Sequence, residues 1–440
     1  MSLALRAYAL AASAFFPLLK NRLRKRHEVG FDERCGLYAA DKLERIRRGA
    51  GLWIHAVSVG EVQAASPLVS EAVRSGWDNP IIVSTVTETG AQNAALLMGD
   101  KLTAHIYAPW DIPGISARAC HALMPAAYVT VETEIWPNLL RELRSGGVPR
   151  FLLNARLSDR TLAMARYTRG ALRETYEMFD LILARGDEDA DRLSAMGVAA
   201  QKIVVAGDCK IDAILERRAS AIKSFPSWRQ RLAMPEGTPC FIAGSTHEGE
   251  EDVVLEAFSR LSSDEEKCAD ARLLLVPRHP NRAKELKRRA AHLGSVALLS
   301  DTDTASGHGL PRRVVVVDEI GVLYELYGLA TAAFVGGSLI DRGGQNILEP
   351  ASWGVPIQHG PYMQDFAVPT RALDELGAAS TVWNARDLGE LWRASARGEL
   401  AANAAKGASY LEGLSGASHL AWKNIYEYLH KNTTRVFAAQ

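Results

Sequence analysis

Trp53-Ile54-His55-Ala56-Val57-Ser58-Val59-Gly60-Glu61-Val62-Gln63-Ala64-Ala65 is the stretch that decides the fold. An apolar, β-branched run reaches a Ser and a Gly, and a carboxylate then opens a helix predicted over 61–74. This is the strand-loop-helix step of an α/β sheet. In open α/β sheets ligands sit in the crevice beyond the strand ends. Glu61 also has a plainer reading, because a carboxylate in a first helical turn is favoured against the macrodipole by ~0.3–1 kcal/mol. The rest of the chain decides between the two.

The unit repeats. Pro80-Ile81-Ile82-Val83-Ser84-Thr85 is a buried strand that runs into the hydroxyl-rich turn Thr87-Glu88-Thr89-Gly90. Ala126-Ala127-Tyr128-Val129-Thr130-Val131 delivers Glu132-Thr133-Glu134-Ile135-Trp136-Pro137-Asn138, two carboxylates spaced i, i+2 at a strand end, with Pro137 suited to the first turn of the next helix. Phe151-Leu152-Leu153-Asn154-Ala155-Arg156 ends in a polar, cationic loop, residues 179–184 give another strand, and Ile203-Val204-Val205-Ala206-Gly207-Asp208-Cys209-Lys210 places Lys210 just past one more. Strands alternating with helical segments imply a mostly parallel sheet covered on both faces. Glu61, Glu132 and Lys210 therefore collect at one edge of it.

At 440 residues, two domains of about 200 residues each are the default. The composition, 48% apolar and 23% charged, is that of a soluble globular protein, and Lys plus Arg (51) balance Asp plus Glu (51). No basic excess speaks for nucleic acid as a partner. Cys35, Cys120, Cys209, Cys240 and Cys268 are scattered, without C-x-x-C, and read as reduced thiols in a cytosolic setting, with neither a zinc site nor a disulfide framework.

Residues 7–19 are apolar or small, and Lys20, Arg22, Arg24, Lys25 and Arg26 follow at once. A helix over that apolar run spans roughly 20 Å, short of a ~30 Å hydrocarbon core. Basic residues after the apolar run oppose a cleaved export signal, and the positive-inside tendency keeps the bulk of the chain in the cytoplasm. The expectation is a membrane-associated segment over 1–30, drawn to anionic lipid. The alternative is a first helix packed on its own domain with a solvated basic face.

Periodicity weakens between Ile211 and Pro239, which sets the domain boundary there, at 215/216. The expected division is 31–215 for an acceptor-side domain and 216–440 for a donor-binding domain. The pattern restarts with Cys240-Phe241-Ile242-Ala243-Gly244-Ser245-Thr246-His247-Glu248-Gly249-Glu250-Glu251. His247-Glu248 opens like a zincin motif, but Glu251 stands where the second His must be. Leu273-Leu274-Leu275-Val276-Pro277-Arg278-His279-Pro280 ends on an Arg suited to phosphate or carboxylate. Val314-Val315-Val316-Val317-Asp318-Glu319-Ile320-Gly321 turns into a helix start, a natural anion seat. Phe334-Val335-Gly336-Gly337-Ser338 and Gly343-Gly344-Gln345-Asn346-Ile347-Leu348-Glu349 follow, where paired glycines let backbone approach a ligand closely. The D-x-D at Asp301-Thr302-Asp303 is read as surface, and no P-loop or complete G-x-G-x-x-G occurs.

Six of these motifs stand in one order: Ser58-Val59-Gly60-Glu61, Glu132 to Asn138, Asn154-Ala155-Arg156-Leu157-Ser158, Ser245 to Glu251, Val276-Pro277-Arg278-His279-Pro280 and Phe334 to Leu339. In that order the chain resembles the 3-deoxy-D-manno-octulosonic acid (Kdo) transferases of bacterial lipopolysaccharide synthesis, from near the N-terminus to about Phe366. The resemblance implies an α/β fold of GT-B type, with two Rossmann-like parallel-sheet lobes facing a cleft. It implies an inverting, metal-independent glycosyltransferase without cofactor, using CMP-Kdo as donor and a lipid A precursor as acceptor on the cytoplasmic side of the inner membrane. Carried over by motif, Glu61 is the proton acceptor and Glu132 and Lys210 assist the transition state. Pro277 and Arg278, Ile320, Gly321 and Val322, and Asn346, Ile347, Leu348 and Glu349 hold CMP.

That chemistry agrees with the placement of the residues. A base facing the acceptor hydroxyl is typically worth ~10²–10⁴ in rate, and cations or helix N-termini stabilise the departing phosphate. Two departures are visible. The family usually has Met-Gly-Glu where Ile320-Gly321-Val322 stands, and Gly-Gly-His-Asn-Pro where Gly343-Gly344-Gln345-Asn346-Ile347 stands. A GT-B transferase with another nucleotide sugar, or a two-lobed binding protein, are the competing readings.

Overall fold

The computed structural model describes residues 2–168, 170–264, 268–303 and 313–437. Two compact units emerge, one of Met1–Ala213 with Leu414–Gln440 and the other of Ile214–Gly413. The first holds a seven-stranded sheet of β1 (Leu52–His55), β2 (Ile81–Thr85), β3 (Ala104–Tyr107), β4 (Ala127–Val131), β5 (Arg150–Ala155), β6 (Leu181–Ala184) and β7 (Ile203–Val205), in the order β3-β2-β1-β4-β5-β6-β7. All neighbours are parallel. Helices must cross over between parallel strands, so both sheet faces are covered.

The pleat shows which face each residue serves. Leu52 and Ile54 belong to one core, with Val62, Leu68 and Val69 of the helix Val59–Arg74, while Trp53 between them belongs to the opposite core with Tyr128 and Leu152. In β5 the alternation breaks: Leu153 lies in the first core and Ala155 in the second, and the pairing with β6 shifts register between Leu152 and Ala155. The residue between, Asn154, has φ 55°. A left-handed residue inserted in a strand re-aims everything after it.

The second unit repeats the plan with β8 (Cys240–Thr246), β9 (Arg272–Pro277), β10 (Val296–Leu298), β11 (Val314–Val316), β12 (Ala332–Val335), β13 (Ile357–His359) and β14 (Ala379–Thr381). The order is β10-β11-β9-β8-β12-β13-β14, again parallel throughout. Phe241 stacks on Trp392 at 4.8 Å, on one face, while Cys240 and Ile242 face the core of Trp228 and Tyr327. The two Rossmann-like parallel sheets are those of the GT-B type.

The chain ends depart from the sequence division. The helix Ala417–Phe437 belongs to the first unit and not to the 216–440 domain. Its stripe of Ala421, Trp422, Ile425 and Leu429 covers the face of Leu52 and Ile54, with Trp422 edge-on to Trp77. Apolar positions at i, i+3/i+4 spacing give this helix a face that only another core can bury. The N-terminal helix runs from Leu3 to Arg26, 24 residues, and is longer than its apolar run. By length and composition it could cross a membrane. It also touches its own unit: Leu5 and Ala9 are buried, Tyr8 donates to Asp111 at 2.9 Å, and Phe16 lies 5.4 Å from Trp110. Leu3, Leu10, Phe15, Leu18 and Leu19 stay exposed.

Under the ends of β1 and β2, His55 is buried between Ser84 Oγ, 2.9 Å from its Nδ1, and the indole N–H of Trp136, which donates to Nε2 at 3.0 Å. An Nε2 that accepts belongs to a neutral ring, and burial pushes its pKa down to about 4. A His whose folded value lies below its unfolded one leaves the unfolded chain with more protons between about pH 4 and 6.5, so stability is full above that window and is lost as pH falls through it. Urea unfolding at pH 7 and pH 5 is expected to show a fall in wild type that His55→Gln lessens by about 2 kcal/mol. An equal fall in both proteins would remove His55 as the cause.

Candidate active site

From the neighbouring strands β1 and β4 the chain moves off in opposite directions, which leaves their C-terminal ends open for side chains to meet a ligand. Two loops fill that place, 56–61 and 132–136. Ser58 is the N-cap of the helix Val59–Arg74, and Glu61 in its first turn folds back to accept from Val57 N–H at 2.7 Å and Ser58 Oγ at 3.0 Å. These are local contacts at the helix start, in keeping with the plainer reading. They leave the carboxyl half-buried, and burial raises its proton affinity above the usual 4.5, opposed by those two hydrogen bonds and by Lys210 and reinforced by Glu132.

Glu132 follows β4 with φ 58° while its N–H still bonds Leu153 O of β5. The left-handed turn swings the side chain out of the strand's alternation, and Glu132 Oε1 lies 2.5 Å from Lys210 Nζ. Lys210 reaches that point from the start of the helix Cys209–Ala221, whose Cys209 N–H donates to Asn154 Oδ1 at 2.9 Å. The same ammonium lies 3.8 Å from where a side chain on Gly60 would begin. Glu61, Glu132 and Lys210 are thus together.

A third carboxylate shares the cluster. Glu134 lies on the same loop, held by its carbonyl accepting from Thr130 Oγ1 at 2.7 Å. Burial first, then the charges of Glu61 and Glu132, push its pKa up to about 7. Glu134 can therefore take up and release a proton near neutrality beside Glu61 and the Lys210–Glu132 pair. In the sequence, the i, i+2 spacing of Glu134 from Glu132 is the one signal of its place in the cluster. Asn154 stands in the sequence as part of a polar loop, and nothing in its identity alone points to Cys209.

In the second unit the corresponding reversal lies between β8 and β12. Glu250, fully buried, accepts from His247 N–H at 2.9 Å and from three successive amides after β12: Gly337 at 2.7 Å, Ser338 at 2.9 Å and Leu339 at 2.9 Å. A carboxylate with four charge-assisted partners fixes the glycine loop. Gly336 has no alternative residue here, because a Cβ would meet Ser245 O at 2.5 Å.

The residues expected to hold CMP follow β9, β11 and β12. Pro277 is buried at the end of β9, and Arg278 continues the ladder through its N–H to Thr246 O while its side chain is exposed. Ile320 is exposed, and Gly321 is left-handed with its carbonyl accepting from Arg217 at 2.8 Å. Val322 caps the short helix Leu323–Tyr327. Asn346 donates to Glu349 at 3.3 Å and accepts from Leu348 N–H, and Ile347 is buried. Burial raises the Glu349 carboxyl against the pull of Arg217 and Asn346. Arg217 therefore holds the 320–322 loop by a hydrogen bond and lends its charge to Glu349, and no sequence motif marks it. Arg278's guanidinium has no hydrogen-bond or ion-pair partner among the described residues.

Of the D-x-D, Asp301 is taken by Lys287 at 2.6 Å, and the side chain of Asp303 lies outside the described residues. Among the described residues no three His, Cys, Asp or Glu side chains are grouped to share a metal ion. The thiols of Cys35, Cys209, Cys240 and Cys268 are buried and that of Cys120 partly so.

Glu250→Gln puts an amide NH₂ against donors. The substitution is expected to destabilise the second unit by ~2–4 kcal/mol. Denaturant unfolding measures it, and an unchanged midpoint would contradict the clamp.

The family pattern described as 3-Deoxy-D-manno-octulosonic-acid transferase (kdotransferase) matches residues 29–213. The chain is 34% identical to the 3-deoxy-D-manno-octulosonic acid transferase of Bordetella pertussis over 344 residues, 77% of each protein. It is 32% identical to that of Haemophilus influenzae over 343 residues, again 77% of each. Among solved structures, UDP-GlcNAc 2-epimerase from Neisseria meningitidis bound to UDP-GlcNAc superposes with TM-score 0.57 at 13% identity, over 87% of this chain and 100% of that one, a likeness of fold alone. With a third of its residues identical over three quarters of such relatives, the chain is a glycosyltransferase belonging to the 3-deoxy-D-manno-octulosonic acid transferase family.

Proposed function

We propose that the protein moves Kdo from CMP-Kdo to a lipid A precursor, lipid IVA, in lipopolysaccharide core biosynthesis, with inversion at the anomeric carbon and without a metal ion. The observation that carries this reading is the half-buried Glu61 carboxyl, its proton affinity raised, beside the Lys210–Glu132 pair at the switch point of the first sheet.

In this reading Glu61 takes the proton of the acceptor hydroxyl as that oxygen attacks. A carboxylate with raised affinity is a stronger base than a free one. The Lys210 ammonium offsets negative charge that develops during transfer. Its 2.5 Å contact with Glu132 supports a role for Glu132 in aiming Lys210. Pro277, Arg278, Ile320, Gly321, Val322, Asn346, Ile347, Leu348 and Glu349 hold CMP, mostly through backbone. That is how Val322 and Gln345 are tolerated where the family has Glu and His.

The protein works at the cytoplasmic face of the inner membrane in this reading. The exposed Leu10, Phe15 and Leu18 enter the lipid surface, and Arg24, Lys25 and Arg26 at the helix end meet anionic headgroups. The contacts of Leu5, Tyr8, Ala9 and Phe16 with the first unit favour a helix that lies on the membrane.

Incubation of the purified protein with CMP-Kdo and lipid IVA should yield a Kdo-bearing lipid by mass spectrometry; absence of product with that donor and product with another nucleotide sugar would overturn the donor assignment. Glu61→Gln is expected to lower kcat by ~10²–10⁴ with little change in KM. The base must be ionised, so kcat/KM should fall toward acid with its limb above pH 4.5. Glu134 holds a proton through that limb, so Glu134→Gln should leave the limb where it is. Full activity in Glu61→Gln would remove it as the base.

A further inference from the structure

A cavity of about 220 Å³ opens beyond the strand ends of the second unit, and none of the roles assigned above uses it. Its walls come from three loops: His247 and Glu248 after β8, His279 and Arg282 after β9, and Ile340 and Arg342 after β12. Since β8 and β12 are the neighbours at which the chain reverses, the cavity occupies the ligand position of an open α/β sheet.

Its lining is cationic and short of acceptors. His247 Nε2 is buried with no hydrogen-bond partner, and so is one terminal nitrogen of Arg282, whose other one is 2.5 Å from Glu251 Oε1. Buried donors without acceptors are uncommon enough to need a reason. Burial first, then the charges of His279, Arg342 and Arg278 against the pull of Glu250, lower the proton affinity of His247. The rings of His247 and His279 stand edge to face at 6.0 Å. Of the carboxylates nearby, Glu250 is engaged by four backbone amides and Glu251 Oε1 by Arg282, Glu251 Oε2 is buried without a partner and is not part of the cavity wall, and the exposed Glu248 stands at the rim. A neutral His247 ring can carry its proton on Nε2 and donate it into the cavity.

The cavity also borders the loop proposed for CMP. Gly337 separates His247 from Gln345, with His247 Cδ2 3.5 Å and Gln345 Nε2 3.3 Å from where a side chain on Gly337 would begin. His247 on the cavity wall is thus a neighbour, across Gly337, of Gln345, which precedes Asn346 in the chain.

We propose that this cavity is an oxyanion seat that takes the carboxylate of the transferred sugar, with His247 Nε2–H and the Arg342 guanidinium as donors. The seat rests on the donor assignment under Proposed function, in which the sugar is an acid. It gives the second unit a hold on the sugar separate from its hold on the nucleotide, and so a means of rejecting uncharged sugars on the same nucleotide. A donor lacking the carboxylate would leave the buried His247 Nε2–H unpaired.

Calorimetric titration of the full-length protein with CMP and with CMP-Kdo tests the seat. His247→Ala and Arg342→Ala are each expected to weaken CMP-Kdo about tenfold or more while leaving CMP within twofold. His247→Gln, which keeps a donor, should recover part of the loss. Retained CMP binding also shows that the variants are folded. Equal losses for CMP and CMP-Kdo would put the nucleotide phosphate in the cavity and overturn the proposal, and so would no loss for either. Should wild type bind CMP but not CMP-Kdo, the donor assignment itself fails and the seat falls with it. When wild type binds CMP-Kdo and the variants match it, the seat alone is refuted.

Discussion

The contact between the Lys210 ammonium and the Glu132 carboxylate, 2.5 Å apart at the open end of the first sheet, is the interaction on which the site depends. It brings together residues from β4 and from the helix after β7, strands that are three places apart in the sheet. Neither side chain reaches it by default. Glu132 does so through a left-handed backbone, φ 58°, and Lys210 through the amide of Cys209, which Asn154 holds from its own left-handed position, φ 55°. Left-handed non-glycine residues cost ~1 kcal/mol or more each. Ser245, φ 54°, is the next-to-last residue of β8 in the second unit, and the pairing of β8 with β9 shifts register across it as that of β5 with β6 does across Asn154. The two units thus spend backbone strain at the same topological place, where each sheet needs side chains aimed beyond its edge.

Around the ion pair, charge balance sets what the site can do. Glu61, Glu132 and Glu134 bring three carboxyls to one ammonium, so full ionisation leaves repulsion that burial strengthens. Glu134, pushed up to about 7, relieves it by holding a proton. A base with a raised affinity next to a group that titrates near neutrality suits removal of a hydroxyl proton. His55 supports this from beneath without changing charge: as a neutral acceptor for Trp136 it fixes the loop that carries Glu132 and Glu134.

Long buried strands and glycine-bearing loop ends were legible in the sequence because a parallel sheet needs continuous apolar runs and sharp exits. The runs at 53–57, 80–85, 127–131 and 240–246 are of this kind. β3, β10, β13 and β14 are only three or four residues long and lie toward the sheet edges, too short for a run to stand out from a helix face. Strand order was not legible at all, so Glu61 and Glu132 could be placed at one edge but not on adjoining strands. The final helix, assigned by position to the second domain, belongs to the first because its Trp422 stripe fits that core, which is a long-range fact. Glu250 and Arg217 act through backbone amides and carbonyls far along the chain, and such partners leave no pattern in neighbouring residues.

A double-mutant cycle on Lys210 and Glu132, read as kcat/KM for Kdo transfer to lipid IVA, tests most directly whether the pair works as one unit. With Lys210→Met, Glu132→Gln and both together, the double variant should be little worse than the poorer single one, a coupling of ~1–3 kcal/mol. Losses that simply add, or a Glu132→Gln enzyme as active as wild type, would contradict the account.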